Sequence, residues 1–206
     1  NMHVITDGYE EESFQGLAPR PFSAAATKII FLGTYYPQFY DTIKTFLTIL
    51  HEIDPDAEVI FIGRGLETIH RMQMPNAICI MNLPRKKALE YALNSDFLYV
   101  VMPPYARWCP TKTYDYLRLG KPILGSVPAD GDAAQHIAKA QAGFILSPNA
   151  DLLRTQLRDI IIRHKSGAFR NFQPIREHVE KFERRRLAEQ MVNVFNEAAA
   201  KVDTTR

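Results

Sequence analysis

Cysteine and long apolar runs are both scarce in this sequence of 206 residues. The two cysteines, Cys79 and Cys109, stand far apart and outside any C-x-x-C spacing, which indicates reduced thiols and gives no metal site. No apolar run approaches the roughly 20 residues that a membrane-spanning helix needs. The N-terminus also lacks the basic and then apolar layout of a signal peptide. We therefore expect a cytoplasmic protein.

Excess charge of either sign is small as well. Lys and Arg number 25 against 23 Asp and Glu, a net charge of +2, and no dense basic patch with interleaved aromatics precedes the C-terminal region. A nucleic-acid partner is therefore not expected. The one basic run, Arg184-Arg185-Arg186, fits either a solvated helix face or peripheral contact with a membrane surface or a lipid acceptor. Nothing in the sequence indicates an oligomeric state.

A dinucleotide-binding fingerprint is missing too. Gly63-Arg64-Gly65 follows an apolar run, but Thr68 stands where G-x-G-x-x-G needs its third glycine. The first strand-to-helix turn, at Gly33-Thr34, lacks the fingerprint altogether. Nicotinamide and flavin cofactors are therefore not expected.

Short apolar runs that alternate with helical spacing are what the sequence does have, and 46% hydrophobic content suits one large domain. This alternation predicts an α/β fold with a doubly wound, mostly parallel, Rossmann-like sheet. The predicted strands of the sheet are 28–32, 58–62, 77–81, 96–102, 122–127 and 142–146. We expect an N-terminal strand (His3–Thr6) and linker over 1–27, the Rossmann-like domain over 28–165, and C-terminal helices that pack back on it over 166–206.

The most informative stretch is TKTYDYLRLGKP, from Thr111 to Pro122. It predicts a short helix after a parallel strand, where a phosphate sits well. Thr111 would cap the helix, Lys112 would bring positive charge, and Asp115, one turn on, could accept hydrogen bonds from two vicinal hydroxyls. A nucleoside diphosphate offers both partners. The same residues also fit a purely structural role as a cap, a solvated lysine and a dipole-matching carboxylate.

The string K-T-Y-D-Y-L-R-L-G-K-P-I-L, with V-P-A-D-G-D-A-A after it, resembles the K-x-Y/F-E-Y-x-x-x-G-K/R-P-I/V segment of "group 1" GT-B glycosyltransferases. That segment lies in their C-terminal half, which binds the nucleotide sugar. The opening V-I-T-D-G-Y is similar to the segment that enters this half in the family, with Asp7 where Asn is usual. Because the chain starts near this point, we expect an N-terminal, acceptor-binding domain to be missing.

The resemblance implies a donor site. It places Asp115 at the donor ribose and Lys112, with the N–H groups of Thr111 to Thr113, at the diphosphate. The Gly33-Thr34 loop is similar to the family's glycine loop beside the same phosphates, although it also fits an ordinary strand-to-helix turn. Further donor contacts that the resemblance implies, to the base or elsewhere, are Arg64, Leu83 and Pro84. No metal and no cofactor are expected, since the nucleotide sugar is a substrate.

Two departures from the family pattern bear on activity. Arg107 stands where retaining members often carry a second Glu, and residues 34–42 contain neither the Arg nor the Lys that often clamp the diphosphate. The resemblance implies a hexosyl-transferring glycosyltransferase of polysaccharide or glycolipid biosynthesis, whose isolated donor domain is inactive. The alternative is a non-catalytic nucleotide-sugar-binding or interaction module. His136, alone on its helix, is expected to be packed or solvated and not catalytic.

Overall fold

The structure is a computed structural model that describes residues 3–18 and 26–203. Within these residues six parallel strands form one sheet: β1 (Lys28–Thr34), β2 (Glu58–Arg64), β3 (Ala77–Met81), β4 (Phe97–Val101), β5 (Ile123–Ser126) and β6 (Gly143–Ile145). Their order in the sheet is β3-β2-β1-β4-β5-β6. Every strand predicted for the sheet is present, with bounds within two residues of those expected.

Helices cover both faces of this sheet, which explains why its central strands are apolar throughout. The helices are α1 (Tyr40–Ile53), α2 (Glu67–Arg71), α3 (Arg85–Asn94), α4 (Lys112–Leu119), α5 (Asp132–Lys139), α6 (Ala150–Lys165), α7 (Arg176–Glu180) and α8 (Arg184–Asp203). Alternate residues of β1 enter two different cores: Ile30 and Leu32 face α3, α4, α5 and α7, whereas Ile29 and Phe31 face α1, α2 and α6. The predicted doubly wound α/β fold is therefore confirmed.

The N-terminal segment differs from its prediction. The expected strand His3–Thr6 is wrong, because these residues have no regular secondary structure and pair with no strand of the sheet. Pairing occurs a few residues later, where Tyr9 forms an isolated parallel bridge with Glu183 and its side chain is buried. A four-residue apolar run needs a free sheet edge to become a strand, and here the chain meets the start of α8 instead. Residues 19–25 of the predicted linker lie outside the described residues.

The basic run at the start of α8 is paired with carboxylates. Arg184 contacts Asp7 at 3.2 Å and Arg185 contacts Glu12 at 3.8 Å, both in the acidic N-terminal segment. Arg186 pairs with Glu180 and Glu183. Such exposed pairs contribute little each, about 0 to 1 kcal/mol. Together they neutralise the run and hold the N-terminal segment against the C-terminal helices.

Two histidines are packed where α5 meets α7. The ring of His136 lies 4.6 Å from that of Phe182 and 5.8 Å from that of His178, between ring centroids. His136 is thus packed, as expected. Burial lowers the pKa of both histidines, and for His136 the neighbouring His178 lowers it further. Lys139 and Lys181 also act against protonation of His178, whereas Asp132 and Glu177 oppose the shifts.

The histidine pair should therefore make stability depend on pH. Because the folded-state pKa values lie below the unfolded value of about 6.5, the unfolded chain binds more protons, and the free energy of unfolding falls as pH drops below about 6.5. Replacing both residues, His136→Phe with His178→Phe, should flatten this slope in urea titrations between pH 7 and pH 5. His70→Gln, at an exposed histidine of α2, serves as the control and should leave the slope unchanged. An unchanged slope in the double variant would contradict the assignment.

Candidate functional site

The candidate site lies at the point where the winding of the sheet reverses. From the adjacent strands β1 and β4 the chain continues to β2 on one side and to β5 on the other. In parallel α/β sheets this arrangement leaves a crevice at the carboxyl ends of the two central strands, where ligands bind. Gly33 and Thr34 end β1 at this edge, and the loop after β4 leads into α4, which begins at Lys112.

Two glycines shape the floor of the crevice. Gly33 and Gly63 are paired in register between β1 and β2, with φ angles of 120° and 155°, where other residues are strained. A Cβ atom on Gly63 would lie 1.8 Å from the carbonyl oxygen of Gly33, and one on Gly33 would lie 3.1 Å from Nζ of Lys112. The absence of a side chain at Gly33 lets the Lys112 amine reach the end of β1, and its absence at Gly63 lets β1 and β2 approach closely.

Lys112 occupies an unusual place for a lysine. The residue is only partly exposed, and Nζ lies 3.8 Å from the centroid of the Phe31 ring. The ring face attracts an ammonium group, yet burial lowers the pKa of Lys112 to about 7, and among the described residues no carboxylate opposes that shift. The neutral amine is thus accessible near neutral pH. An anion bound beside it would favour the charged form.

Thr111 does not cap α4, so this prediction is wrong. Its backbone is helical, with φ −49° and ψ −39°, and no side-chain capping bond forms. The hydroxyl donates instead to Asp7 at 2.8 Å, so the N-terminal segment reaches the start of α4. Arg184 and the N–H of Gly8 contact the same carboxylate, and they and Thr111 hold the pKa of Asp7 below its usual value although burial opposes them.

The predicted contact through the N–H of Thr113 also needs correction. That N–H donates to the carbonyl of Pro110 at 2.9 Å, and the Thr113 side chain is completely buried. The N–H of Thr113 therefore closes a tight turn at the start of α4 and is not available to a ligand. Within the described residues, the N–H groups of Thr111 and Lys112 make no such bond. Two of the three predicted backbone donors thus remain for a ligand.

Asp115 lies one turn beyond Lys112 and is buried. Its Oδ1 accepts a hydrogen bond of 2.8 Å from Nη2 of Arg85, the first residue of α3. Burial raises the pKa of Asp115, and Arg85 acts against that rise. Sequence reasoning missed Arg85, because it stands 30 residues before Asp115. Only the order of the strands brings the starts of α3 and α4 together.

The remaining predicted contacts lie along the same edge. Leu83 and Pro84 form the loop that leads into α3, next to Arg85; Leu83 packs partly against the core and Pro84 is exposed. Arg64 ends β2 in register with Thr34, and its side chain is exposed. The structure thus brings the predicted site residues to one edge of the sheet, with Lys112 and Gly33 in direct proximity.

Arg107, at the position where the resembled family often has Glu, turns toward the loop after β5. Its Nε contacts Asp130 at 2.9 Å, and its carbonyl accepts a bond of 2.8 Å from the N–H of Asp132. These contacts anchor the loop between β4 and α4. Tyr105 and Trp108 of that loop are exposed, at 66% and 55%.

A cavity of about 630 Å³ lies away from this crevice, at the other end of α4. Its charged walls are paired with each other, as in the contacts of Arg118 with Glu11 and of Arg176 with Glu180. It therefore offers a ligand few free polar groups. Within the described ranges there is no cluster of three His, Cys, Asp or Glu side chains suited to a metal ion. No helix there is long and apolar enough to cross a bilayer.

The fold and crevice define the class of doubly wound α/β proteins that bind ligands at a topological switch point. Comparison with solved structures finds the same fold in several glycosyltransferases of the GT-B fold. AviGT4, a glycosyltransferase involved in avilamycin A biosynthesis, is 13% identical, with a TM-score of 0.66 over 96% of this chain and 58% of its own. Anabaena HepE, in complex with UDP and glucose, is 11% identical, with a TM-score of 0.70 over 94% of this chain and 56% of its own.

A glycosyltransferase from Rickettsia africae is similar as well, with a TM-score of 0.69 at 12% identity over 95% of this chain and 56% of its own. The chain therefore has the fold expected for the C-terminal domain of a GT-B glycosyltransferase and spans somewhat more than half the length of these structures. No protein-family model matches the chain, and no similar sequence was found among curated proteins.

Proposed function

We propose that the chain is the donor-binding domain, over residues 28–165, of a glycosyltransferase that moves a hexosyl group from a nucleoside diphosphate sugar to an acceptor. The observation that carries this proposal is the Lys112 amine, held beside Gly33 and one turn from the buried Asp115 at the switch point. The crystal structure of HepE, which shares the fold, contains UDP and glucose. The pairing of a cation with a hydroxyl-binding carboxylate suits a ligand of the same kind.

In this proposal the chain's own groups stabilise the departing diphosphate. The Lys112 ammonium and the N–H groups of Thr111 and Lys112 meet the charge that develops as the sugar–phosphate bond breaks. Asp115 accepts hydrogen bonds from the ribose hydroxyls. Leu83 and Pro84 lie at the base, and Gly33 and Thr34 line the phosphates, with Arg64 as a further donor contact. These contacts do not involve a metal ion.

The acceptor site and any catalytic base belong, in this proposal, to a second domain N-terminal to this one. We expect this chain to bind the donor without turning it over. The two free cysteines suit a reducing, cytoplasmic setting, and a polysaccharide or glycolipid is the proposed acceptor. Peripheral membrane contact through Arg184 to Arg186 would have to compete with their ion pairs.

A thermal-shift panel of UDP, GDP, ADP and NAD in EDTA tests the proposal. One nucleoside diphosphate should raise the melting temperature by about 5 °C or more at a hundred times its dissociation constant, since it binds only the folded chain. Asp115→Ala should lose most of this shift because the ribose contact is gone. A shift with NAD alone, or none with any diphosphate at millimolar concentration, would contradict the donor site. Dependence of the shift on added Mg²⁺ would contradict the metal-free contacts.

A non-catalytic nucleotide-sugar-binding module is the second candidate. It is favoured by Arg107, which is tied to Asp130 where the family often carries a glutamate, and by the absence of Arg and Lys from residues 34–42. The two candidates differ in one assay of the protein joined to its acceptor domain. Release of UDP from UDP-glucose, dependent on acceptor, supports the enzyme, whereas binding without release supports the module.

A further inference from the structure

Arg85 lies at the same edge of the sheet as the proposed donor contacts. Nη2 of Arg85 is 2.8 Å from Oδ1 of Asp115, and the Arg85 side chain remains 56% exposed although its partner is buried. One nitrogen of the guanidinium is thus held by Asp115, and the exposed part of the side chain is accessible to a ligand. Lys112 and Asp115 are three residues apart on α4, so their Cβ atoms lie about 5–6 Å from each other. Arg85 therefore lies beside the first turn of α4, which also contains Lys112.

The start of α3 collects positive charge in an unfavourable place. Arg85, Lys86 and Lys87 open the helix, no acidic residue lies in its first turn, and Pro84 provides no capping side chain. Cations at a helix N-terminus oppose the helix dipole. Glu90 offsets Lys87 at 3.0 Å, and Asp115 offsets Arg85. The start of α3 lies at the edge of the sheet where the carboxyl ends of the strands lie.

The diphosphate site needs a second cation. Burial disfavours the charged form of Lys112, and residues 34–42, which follow the first glycine turn, contain no Arg or Lys. A nucleoside diphosphate carries more negative charge than one lysine can balance. A guanidinium has five N–H donors in a fixed fork, suited to phosphate oxygens. Arg85 uses one of its nitrogens on Asp115 and keeps the others for a ligand.

We propose that Arg85, positioned by Asp115, binds the diphosphate of the donor from the α3 side and supplies the charge that the segment after β1 lacks. This inference rests on the proposed function. It gives Asp115 two tasks: Oδ1 holds the arginine, and Oδ2 stays available for a ribose hydroxyl. Neither residue alone indicates this role, because it depends on their contact across 30 positions of the chain.

Substitution of Arg85 tests this role. Arg85→Gln keeps a hydrogen-bond donor for Asp115 and removes the charge, and Arg85→Ala removes both. By calorimetry we expect either variant to bind UDP about tenfold to a hundredfold more weakly, as for the loss of a charged hydrogen bond. The affinity for uridine, which has no phosphate, should stay within about twofold. Lys86→Ala, the same loss of charge one residue on, should bind UDP within about twofold of wild type.

Several results would overturn the role of Arg85. Undiminished or tighter UDP binding by Arg85→Gln would mean that the arginine only neutralises the charge of Asp115 and does not contact the diphosphate. Equal weakening by Lys86→Ala would show a general charge effect, and an equal loss for uridine would move the contact to the ribose or base. These outcomes differ from a failure of the proposed function, in which wild type itself binds neither UDP nor another nucleoside diphosphate. Melting temperatures of all variants establish that each is folded.

Discussion

Replacing Lys112 with methionine should weaken UDP binding about a hundredfold, the effect of removing a charged hydrogen-bond donor from a partly buried site. Methionine keeps the length of the side chain and its packing on Phe31, so the loss reports the charge. Nζ of Lys112 lies against the end of β1 at Gly33, the place proposed for the diphosphate. Calorimetric titration of wild type and Lys112→Met with UDP measures the difference.

The affinity of the wild-type chain should also depend on pH. Burial lowers the pKa of Lys112 to about 7, so above pH 7 the amine of the free protein is neutral and must take up a proton when the anion binds. The dissociation constant should then rise by up to about tenfold per pH unit above pH 7, until the pKa of the complex is reached. Lys112→Met should lack this slope, and comparison at equal pH removes any titration of UDP itself. Equal affinities or equal slopes in the two proteins would contradict the role of Lys112.

The same substitution should raise the stability of the protein without ligand. The folded-state pKa of Lys112 lies below the unfolded value near 10.4, so the unfolded chain binds more protons between about pH 7 and pH 10. Wild-type stability should therefore rise with pH across that window, and Lys112→Met should reduce the rise. A lysine held at the end of β1 lowers the stability of the fold without ligand. Functional sites commonly lose stability in this way in exchange for ligand binding.

Gly63→Ala should strongly destabilise the protein. Its Cβ would lie 1.8 Å from the Gly33 carbonyl oxygen, and its φ of 155° is unsuited to alanine. The Gly33 carbonyl oxygen and the Cα that would carry the new Cβ both belong to the backbone of paired strands. Neither can therefore move without disturbing the sheet. We expect a loss of about 2 to 5 kcal/mol in the free energy of unfolding, or a melting temperature lower by about 5 to 15 °C.

Gly125→Ala, in β5 of the same sheet, is the matched control. A Cβ there would meet only side-chain ends, the nearest being Cδ1 of Ile137 at 3.3 Å, and these can shift. We expect a change below about 1 kcal/mol, measured by the same urea titrations. Equal losses at Gly63 and Gly125 would show that the close approach of β1 and β2 is not what requires glycine at Gly63.

Patterns that depend on burial were predicted well from the sequence. The runs around Ile30, Ile60 and Val100 are apolar because both faces of the sheet are covered, and that requirement marks strands directly. The position of the site followed from the same reasoning, because strand order and glycine turns decide where strand ends meet. Lys112 and Gly33 were accordingly expected at one edge, and the structure brings them together.

Polar contacts were predicted less well, since their partners are set by packing between distant segments. Thr111 is a good capping residue by type, yet its hydroxyl donates to Asp7, over 100 residues away. The partner of Asp115 is Arg85, which no spacing rule relates to it. The run His3–Thr6 has the composition of a strand but no sheet edge to join. In each case a tertiary neighbour overrode a local preference.

A crystal structure of this chain with the nucleoside diphosphate that raises its melting temperature would show directly where the donor binds. The diphosphate should lie beside Nζ of Lys112 and the end of β1 at Gly33, with the ribose at the Asp115 carboxylate. A nucleotide bound elsewhere, for example in the cavity at the other end of α4, or an unoccupied switch point at saturating nucleotide, would contradict the proposed donor site.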